Sequence, residues 1–249
     1  MQPKEYIEVS VATYKPRFQT FMRSFESVVN NDYVFSVYVN GYDDESLEFS
    51  ERVLNRFGGS NVHVTNFSET LNFGDRAKFY PLNESSLSYK PTYLFTIDDD
   101  ILYPKDYFSH MLDLCQKYNG IPVGVHAATL AHKKTPISNY FRERVVRHFS
   151  SAAKRQFVNV IGTGTLCFSP KRVPIEFDFF KTPNMADCYF ALYCQQNRIP
   201  MLCVNRCINW LMQLADDSPS LWETRGDGKE QTQLINSHRS WEVFKDVGS

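Results

Sequence analysis

Short apolar strands alternate with amphipathic helical segments over the first seventy residues of the chain. The run IEVSVAT at 7–13 has the two-residue period of a strand, whereas apolar residues spaced three and four apart over 18–30 predict a helix. Because parallel neighbouring strands are joined almost only by right-handed helical crossovers, this alternation predicts a mostly parallel sheet flanked by helices. The predicted strands are 7–13, 34–40 and 61–67, and the predicted helices are 18–30 and 44–57.

The remaining pattern extends the same α/β architecture. A strand at 92–97 runs directly into three aspartates, and the carboxyl ends of such strands are where open α/β sheets bind ligands. The last forty residues are polar and weakly periodic, so we expect a polar C-terminal extension on a single doubly wound domain, 1–249. Further strands are predicted at 122–128, 158–168 and 201–206, helices at 107–118 and 186–197, and a polar, basic stretch at 132–156.

Composition and charge narrow the classes of protein that fit. The 27 basic and 28 acidic residues give a net charge of −1, which argues against a general nucleic-acid binder. We expect no secretion signal, because the first residues lack an apolar core between a basic start and a cleavage site, and no membrane span, because no run of eighteen apolar residues occurs. The 6 cysteines form no C-x-x-C pair, so we expect buried thiols in a reducing, cytoplasmic compartment.

Asp98, Asp99 and Asp100 are the sharpest chemical signal. Three adjacent carboxylates at the end of an apolar strand repel one another unless a cation neutralises them. In an extended segment Asp98 and Asp100 share one side and can converge on one ion, with hard oxygens that favour manganese or magnesium. An acidic turn that caps the next helix is the alternative interpretation.

Five segments together resemble a bacterial family 2-type glycosyltransferase of the GT-A fold, over roughly residues 7–210. The resemblance implies transfer of a sugar from a nucleotide diphosphate donor, with UDP preferred, and a metal ion that bridges the donor phosphates. It also implies a nucleotide-sugar-binding half at 1–120, an acceptor and catalytic half at 121–210, and a possible lid or tail at 211–249. The segments are ATYKPR, GDRAKFYPL, FTIDDDILYPKDY, IGTGTLCF and NMADCYFALYCQQNRIP.

By this resemblance, several side chains would contact the donor. The ring of Tyr14 could stack on a pyrimidine and Arg17 could reach phosphate, although a plain polar turn explains both residues equally well. Asp43 could contact base or ribose, or it could simply cap the following helix. Asp98 is assigned to ribose or to a shared metal contact, Asp100 to the metal, and His238 to the metal if the tail folds over the site. The other implied donor contacts are Thr13, Asp75, Arg76, Lys78 and Asp99.

The same resemblance places the acceptor beside the glycine pattern and the last predicted helix. Gly162 and Gly164 would let the backbone approach the sugar or acceptor closely, with Thr163 and Thr165 as hydrogen-bond donors, although a bulged core strand is the alternative. Asp187 at the helix start would be the general base, which implies inversion at the anomeric carbon. An acid there is also favoured by the helix dipole alone.

The expected acceptor is a glycan or lipid-linked hydroxyl in surface polysaccharide biosynthesis. A basic segment before the glycine pattern could touch an anionic acceptor or the inner face of a membrane peripherally, or it could be a solvated helix face. A sugar-nucleotide-forming nucleotidyltransferase is a rival, but ATYKPR lacks the glycine-rich loop of that class. A non-catalytic glycan-binding or scaffold domain is the second rival. The basic residues are Arg142, Arg144, Arg147, Lys154 and Arg155.

Overall fold

The computed structural model describes residues 5–41, 43–59, 61–83, 90–130, 136–140, 144–215 and 227–246. Its first part follows the predicted alternation of strand and helix, with bounds that agree within two residues. The elements are β1 (Ile7–Tyr14), a 3₁₀ turn (Lys15–Arg17), α1 (Phe18–Val28), β2 (Val34–Asn40), α2 (Asp44–Phe57), β3 (Val62–Phe67) and a 3₁₀ turn (Glu69–Leu71).

The second part is more finely divided. Residues 74–82, which carry the GDRAKFYPL segment, form a 3₁₀ helix that the periodicity does not reveal. The other elements are β4 (Tyr93–Ile97), β5 (Ile101–Leu102), α3 (Tyr107–Lys117), β6 (Val123–Gly124), β7 (Ala127–Thr129), β8 (Arg144–Val146), β9 (Gln156–Val158), β10 (Val160–Ile161), β11 (Thr165–Phe168), a 3₁₀ turn (Phe177–Phe179), α4 (Ala186–Gln196), β12 (Met201–Cys203), β13 (Met212–Gln213) and α5 (Lys229–Asn236).

The described strands build an eight-stranded sheet in the order β3-β2-β1-β4-β11-β6-β12-β9. The first four strands of that order are parallel, whereas β11 runs antiparallel to both β4 and β6. The carboxyl ends of β1 and β4 therefore lie side by side. The turn that enters β11 meets the same edge of the sheet, because Thr165 pairs with Ile97 at the end of β4.

Alternating side chains along the strands divide the core between the two faces of the sheet. On β4, Phe95 packs with α1, α2 and α3, whereas Leu94 belongs to a second cluster around Phe79 and Phe190. Each fully buried aromatic or aliphatic side chain contributes about 1.5–3 kcal/mol. The α/β prediction for the sheet and its flanking helices is confirmed, and both clusters fix β4, the strand that precedes the aspartates.

Two predicted strands prove to be broken. The segment predicted as one strand at 122–128 is divided into β6 and β7, which belong to different sheets, and 158–168 is divided into β10 and β11 by a turn at 162–164. The hydroxyl of Thr165 explains the first break, because it accepts from the backbone N–H groups of Val125 and His126 and so removes them from strand pairing. The second break is a tight turn, in which the N–H of Thr165 is donated to the carbonyl of Gly162 at 3.0 Å.

The tail is more ordered than its composition predicts. α5 packs against α4, and the side chain of Trp241 beyond it is 1% exposed, with its indole N–H donated to the carbonyl of Ile235. The segment before α5 pairs as β13 with β5, directly after the aspartates. Much of the predicted lid lies outside the described residues, at 216–226.

All six thiols are free, but only five are buried as expected, since Cys207 is exposed. Among the described residues no helix combines the length and hydropathy that crossing a bilayer requires. Of the basic segment, Arg142 and the side chain of Arg144 lie outside the described residues.

Candidate active site

The three aspartates lie in a turn at the carboxyl end of β4, and not in the extended conformation expected from the sequence. Asp99 accepts from the Thr13 hydroxyl at 2.8 Å and from Arg17 Nε at 2.9 Å. The Nη2 atom of the same guanidinium lies 2.5 Å from Asp100 Oδ2. The turn therefore makes Asp99 and Asp100 share one cation, where strand geometry would have paired Asp98 with Asp100.

Burial dominates the protonation of this pair. It raises the pKa of Asp99 to about 7, with the neighbouring charge of Asp100 adding to the effect and Arg17 opposing it. Burial also raises the pKa of Asp100, and the charge of Asp98 acts in the same direction. Arg17 has a 5% exposed side chain and is committed to the two carboxylates. Contact between Arg17 and a donor phosphate would require this bonding to rearrange.

Asp98 faces a different cation. Its carboxylate forms an ion pair with Lys78, which projects from the 3₁₀ helix at 74–82 and is buried. Burial opposes ionisation of Asp98, but the ammonium of Lys78 outweighs it and lowers the pKa of that carboxyl. The Lys78 pKa is raised against its own burial by the charges of Asp98, Asp75 and Asp187. Lys78 is thus ion-paired with Asp98, and the charges of two further carboxylates favour its protonated form.

The turn at 162–164 touches both sides of the site. A Cβ on Gly164 would lie 1.8 Å from Asp98 Oδ2, so the carboxylate fits only because this residue has no side chain. The next residue back, Thr163, donates from its backbone N–H at 2.8 Å and from its hydroxyl at 2.7 Å to Asp187 Oδ1. This one turn therefore joins the strand-end carboxylate to the helix-start carboxylate.

Asp187 lies in the first turn of α4, where the helix dipole favours a negative charge. Asp75 reaches the same helix end from the 3₁₀ helix and accepts from the N–H of Ala186 at 3.0 Å. Its other oxygen, Oδ1, is buried without a hydrogen-bond partner. Burial raises the pKa of Asp75 to about 6, and Asp187 contributes to the rise while Lys78 opposes it.

Several residues predicted to contact the donor or acceptor bond to or pack against other parts of the protein. Thr165 supports the backbone of 125–126 and is 1% exposed, and the nearest side chain to Gly162 is that of His126. Asp43 accepts from the Ser46 N–H at 2.8 Å and so caps α2, as the alternative interpretation required. Tyr14 ends β1 and is half-buried.

Arg76 and His238 do not join the aspartates. Arg76 donates to the carbonyls of Phe180 and Lys181 and lies with its guanidinium carbon 4.9 Å from the Phe73 ring, because the 3₁₀ helix turns it away from Lys78. The ring of His238 lies 6.0 Å from that of Trp241, after α5. Within the described ranges, no group of three or more His, Cys, Asp or Glu side chains could hold a metal ion.

The donor set of Asp98 and Asp100 nevertheless suits a hard cation. Two carboxylates are the usual protein share of a magnesium site that substrate phosphates complete. Arg17 and Lys78 supply two positive charges to three carboxylates, so the aspartate turn keeps a net negative charge when all three are ionised. These residues therefore fit manganese or magnesium together with a diphosphate.

Sequence reasoning missed three side chains of the site. Tyr103 accepts from the N–H of Asp98 at 2.9 Å and donates to the carbonyl of Gly164 at 2.6 Å, which ties the two turns together. Gln213 donates to the carbonyl of Asp100 at 3.1 Å. His148 lies close enough to Asp98 for the two charges to interact. No periodicity marks these residues, although the motif FTIDDDILYPKDY contains Tyr103.

Two solved structures share this fold. The structure of S. aureus TarS 1–349 in complex with UDP-GlcNAc superposes with a TM-score of 0.56 at 11% identity, over 93% of this chain and 66% of that one. GalNAc-T7 with UDP, GalNAc and Mn²⁺ gives a TM-score of 0.60 at 10% identity, over 93% of this chain and 48% of that one. No protein-family model and no curated protein matches the sequence.

The chain thus spans just under two-thirds of the TarS chain and about half of the GalNAc-T7 chain. At this level of identity the likeness establishes the fold, and it confirms the predicted GT-A-like, mostly parallel α/β sheet. The chain has the fold of two proteins whose structures contain sugar nucleotides or their products.

Proposed function

We propose that the protein is a metal-dependent, inverting glycosyltransferase that moves a sugar from a nucleotide diphosphate, UDP by preference, to a hydroxyl of a glycan or lipid-linked acceptor. One observation carries the proposal. The turn at 162–164 places Gly164 against Asp98 and bonds Thr163 to Asp187. The acid that follows β4 and the acid that begins α4 therefore face one site. The two neighbours of the same fold hold UDP-GlcNAc and UDP with GalNAc.

On the donor side, Asp98 and Asp100 would hold manganese or magnesium, and Asp99 fixes the turn through Thr13 and Arg17. The metal would act as a Lewis acid on the departing diphosphate. The Mn²⁺ in the GalNAc-T7 structure supports a divalent ion here. Lys78 is our candidate cation for the second phosphate, and Tyr14, Asp43 and Asp75 remain our candidates for base or ribose contacts.

On the acceptor side, Asp187 takes the proton from the attacking hydroxyl. Its Oδ1 is occupied by two hydrogen bonds from Thr163, so Oδ2 is the oxygen available to the acceptor. These two bonds fix the carboxylate in one orientation, which is what attack in line with the leaving group requires. A single base and direct attack give inversion. We place the reaction in surface polysaccharide synthesis on the cytoplasmic side of a membrane.

The test combines binding with turnover. Calorimetry should show UDP binding that requires Mn²⁺ and is lost in Asp100→Asn. Incubation with a panel of UDP-sugars should release UDP, and Asp187→Asn should abolish this release while leaving UDP affinity and the melting temperature unchanged. Glu48→Gln on the surface of α2 is the matched control.

Other results would point elsewhere. UDP binding and turnover that are equal with and without the metal would remove the metal from the proposal. Release of pyrophosphate from a nucleoside triphosphate and a sugar phosphate would indicate a nucleotidyltransferase. Glycan binding with no nucleotide binding would indicate a scaffold.

A further inference from the structure

Two imidazoles lie together beside the candidate site, and the proposed chemistry uses neither. His126 precedes β7 and His148 follows β8, and their ring centroids are 5.8 Å apart. His148 is 9% exposed, and its Nε2 atom is buried without a hydrogen-bond partner. Such an atom costs free energy unless something else compensates for it. A ligand atom that bonds to Nε2 would supply that compensation.

The backbone that carries His148 is held by a buried arginine. Arg206 is 7% exposed and donates to the carbonyl of Arg147 at 2.6 Å, to that of His148 at 3.3 Å and to that of Val204 at 3.0 Å. Its guanidinium is therefore engaged with backbone carbonyls, an arrangement that fixes the position of the imidazole. These buried hydrogen bonds distinguish the segment that carries His148 from an exposed surface turn.

Hydrogen bonds also fix the backbone of His126. Its N–H is donated to the Thr165 hydroxyl at 2.9 Å, and its carbonyl accepts from the N–H of Gly162 at 2.9 Å. A Cβ on Gly162 would lie 3.0 Å from the His126 side chain, closer than almost all real contacts of that kind. The missing side chain at Gly162 thus leaves room for His126, and the missing side chain at Gly164 leaves room for Asp98.

The position of the pair relates it to both acids. The charges of Asp187 and Asp98 act to raise the pKa of His126, and the charge of Asp98 acts in the same direction on the pKa of His148. Burial lowers the pKa of both rings. At His148 burial and the neighbouring His126 together lower the pKa to about 4. Neutral rings each offer one donor and one acceptor nitrogen, which matches the hydroxyl groups of a sugar and not an anion.

We propose that His126 and His148 form the acceptor subsite, in which they bind hydroxyl groups of a neutral sugar next to the hydroxyl that Asp187 deprotonates. This inference rests on the proposed function. Gln213 marks the edge of the subsite, because its side-chain amide donates to the carbonyl of Asp100 at 3.1 Å. The exposed ring of Phe149, 5.2 Å from the His148 ring, adds an apolar surface for the carbon face of a sugar.

The test follows the imidazole proton resonances of the protein saturated with UDP and Mg²⁺, which is not paramagnetic. His148→Phe and His126→Phe assign the two signals. Methyl β-glycosides of glucose, galactose and N-acetylglucosamine, added at millimolar concentration, should shift both signals, and inorganic phosphate should not. Shifts caused by phosphate alone, or by none of these compounds, would overturn the inference.

Kinetics give a second readout on the same variants. We expect His148→Phe to raise the KM for the glycoside at least tenfold, a much larger change than in the Kd for UDP. His148→Gln, which keeps a donor and an acceptor, should recover much of the loss, and His110→Phe should change nothing.

A parallel loss of UDP-sugar hydrolysis and acceptor transfer in His148→Phe would refute the subsite alone. If the wild-type protein binds no UDP, the proposed function fails, and the inference fails with it.

Discussion

The substitution Gly164→Ala tests the contact on which the site is built. The new Cβ would begin 1.8 Å from Asp98 Oδ2 and 2.2 Å from Cγ, so the carboxylate must retreat about 1.6 Å to reach the 3.4 Å at which ordinary contact begins. The backbone on the other side is held, because the Gly164 carbonyl accepts from Tyr103 at 2.6 Å. We therefore expect the side chain of Asp98 to move, and its ion pair with Lys78 to break.

Breaking that pair leaves Lys78 buried beside fewer carboxylates. Removal of one partner of a fully buried pair costs about 3–5 kcal/mol. The Asp98 side chain is 39% exposed, so solvent reduces this to about 1–3 kcal/mol. Displacement of a positioning group by an ångström or more lowers turnover by about 100-fold. Both effects follow from one methyl group placed at one glycine.

The assays are thermal unfolding, calorimetric UDP binding with Mn²⁺ and release of UDP from UDP-sugars. Gly59→Ala is the matched control, because its Cβ would meet only Asn61 Oδ1 at 3.1 Å, far along the chain from the site. Gly164→Ala with wild-type UDP affinity and turnover would refute the argument that Asp98 is held in place for the donor. Equal destabilisation by the two variants would show that glycine flexibility, and not the Asp98 contact, is responsible.

Two further predictions concern stability. Burial raises the pKa of Asp75 from 3.8 to about 6, so the stability that this carboxyl contributes is full below pH 4 and is lost as the pH rises through 6. Asp75→Asn should reduce the difference in unfolding free energy between pH 4 and pH 8 by about 3 kcal/mol. Plots of unfolding free energy against pH that run parallel for the wild type and the variant would contradict this. Asp43→Ala should cost about 1 kcal/mol through loss of the α2 cap, and unchanged UDP affinity would leave capping as its whole role.

The strand and helix pattern was predictable because each element carries its own period. α1 buries Phe18, Phe21 and Phe25 on one side, a spacing visible in the sequence alone. The break in 122–128 could not be predicted, because it depends on the hydroxyl of Thr165, which is 40 residues away from Val125. A short apolar run does not reveal such a distant hydrogen bond.

Within the site, the residue types were easier to predict than their partners. Asp98, Asp100, Lys78 and Asp187 could be singled out from their residue types. The structure brings Asp98 and Asp187 to one turn and pairs Lys78 with Asp98. That Arg17 would be committed to Asp99 and Asp100 depends on a contact across 82 residues. His148 lies in a polar stretch without periodicity, so its place beside Asp98 follows only from the fold.

The two internal cations change what a metal has to do. Three neighbouring carboxylates were expected to need an external ion, but Arg17 and Lys78 pair with all three of them from within the protein. Under the proposed function, a divalent ion would then serve the diphosphate and not folding. We therefore expect chelation to leave the melting temperature of the ligand-free protein unchanged within a degree. UDP at about 100 times its Kd should add about 2.7 kcal/mol, or roughly 5–11 °C, with Mn²⁺ and nothing with chelator. A fall in melting temperature on chelation alone would show that the aspartate turn depends on the ion, and the argument from internal neutralisation would be wrong.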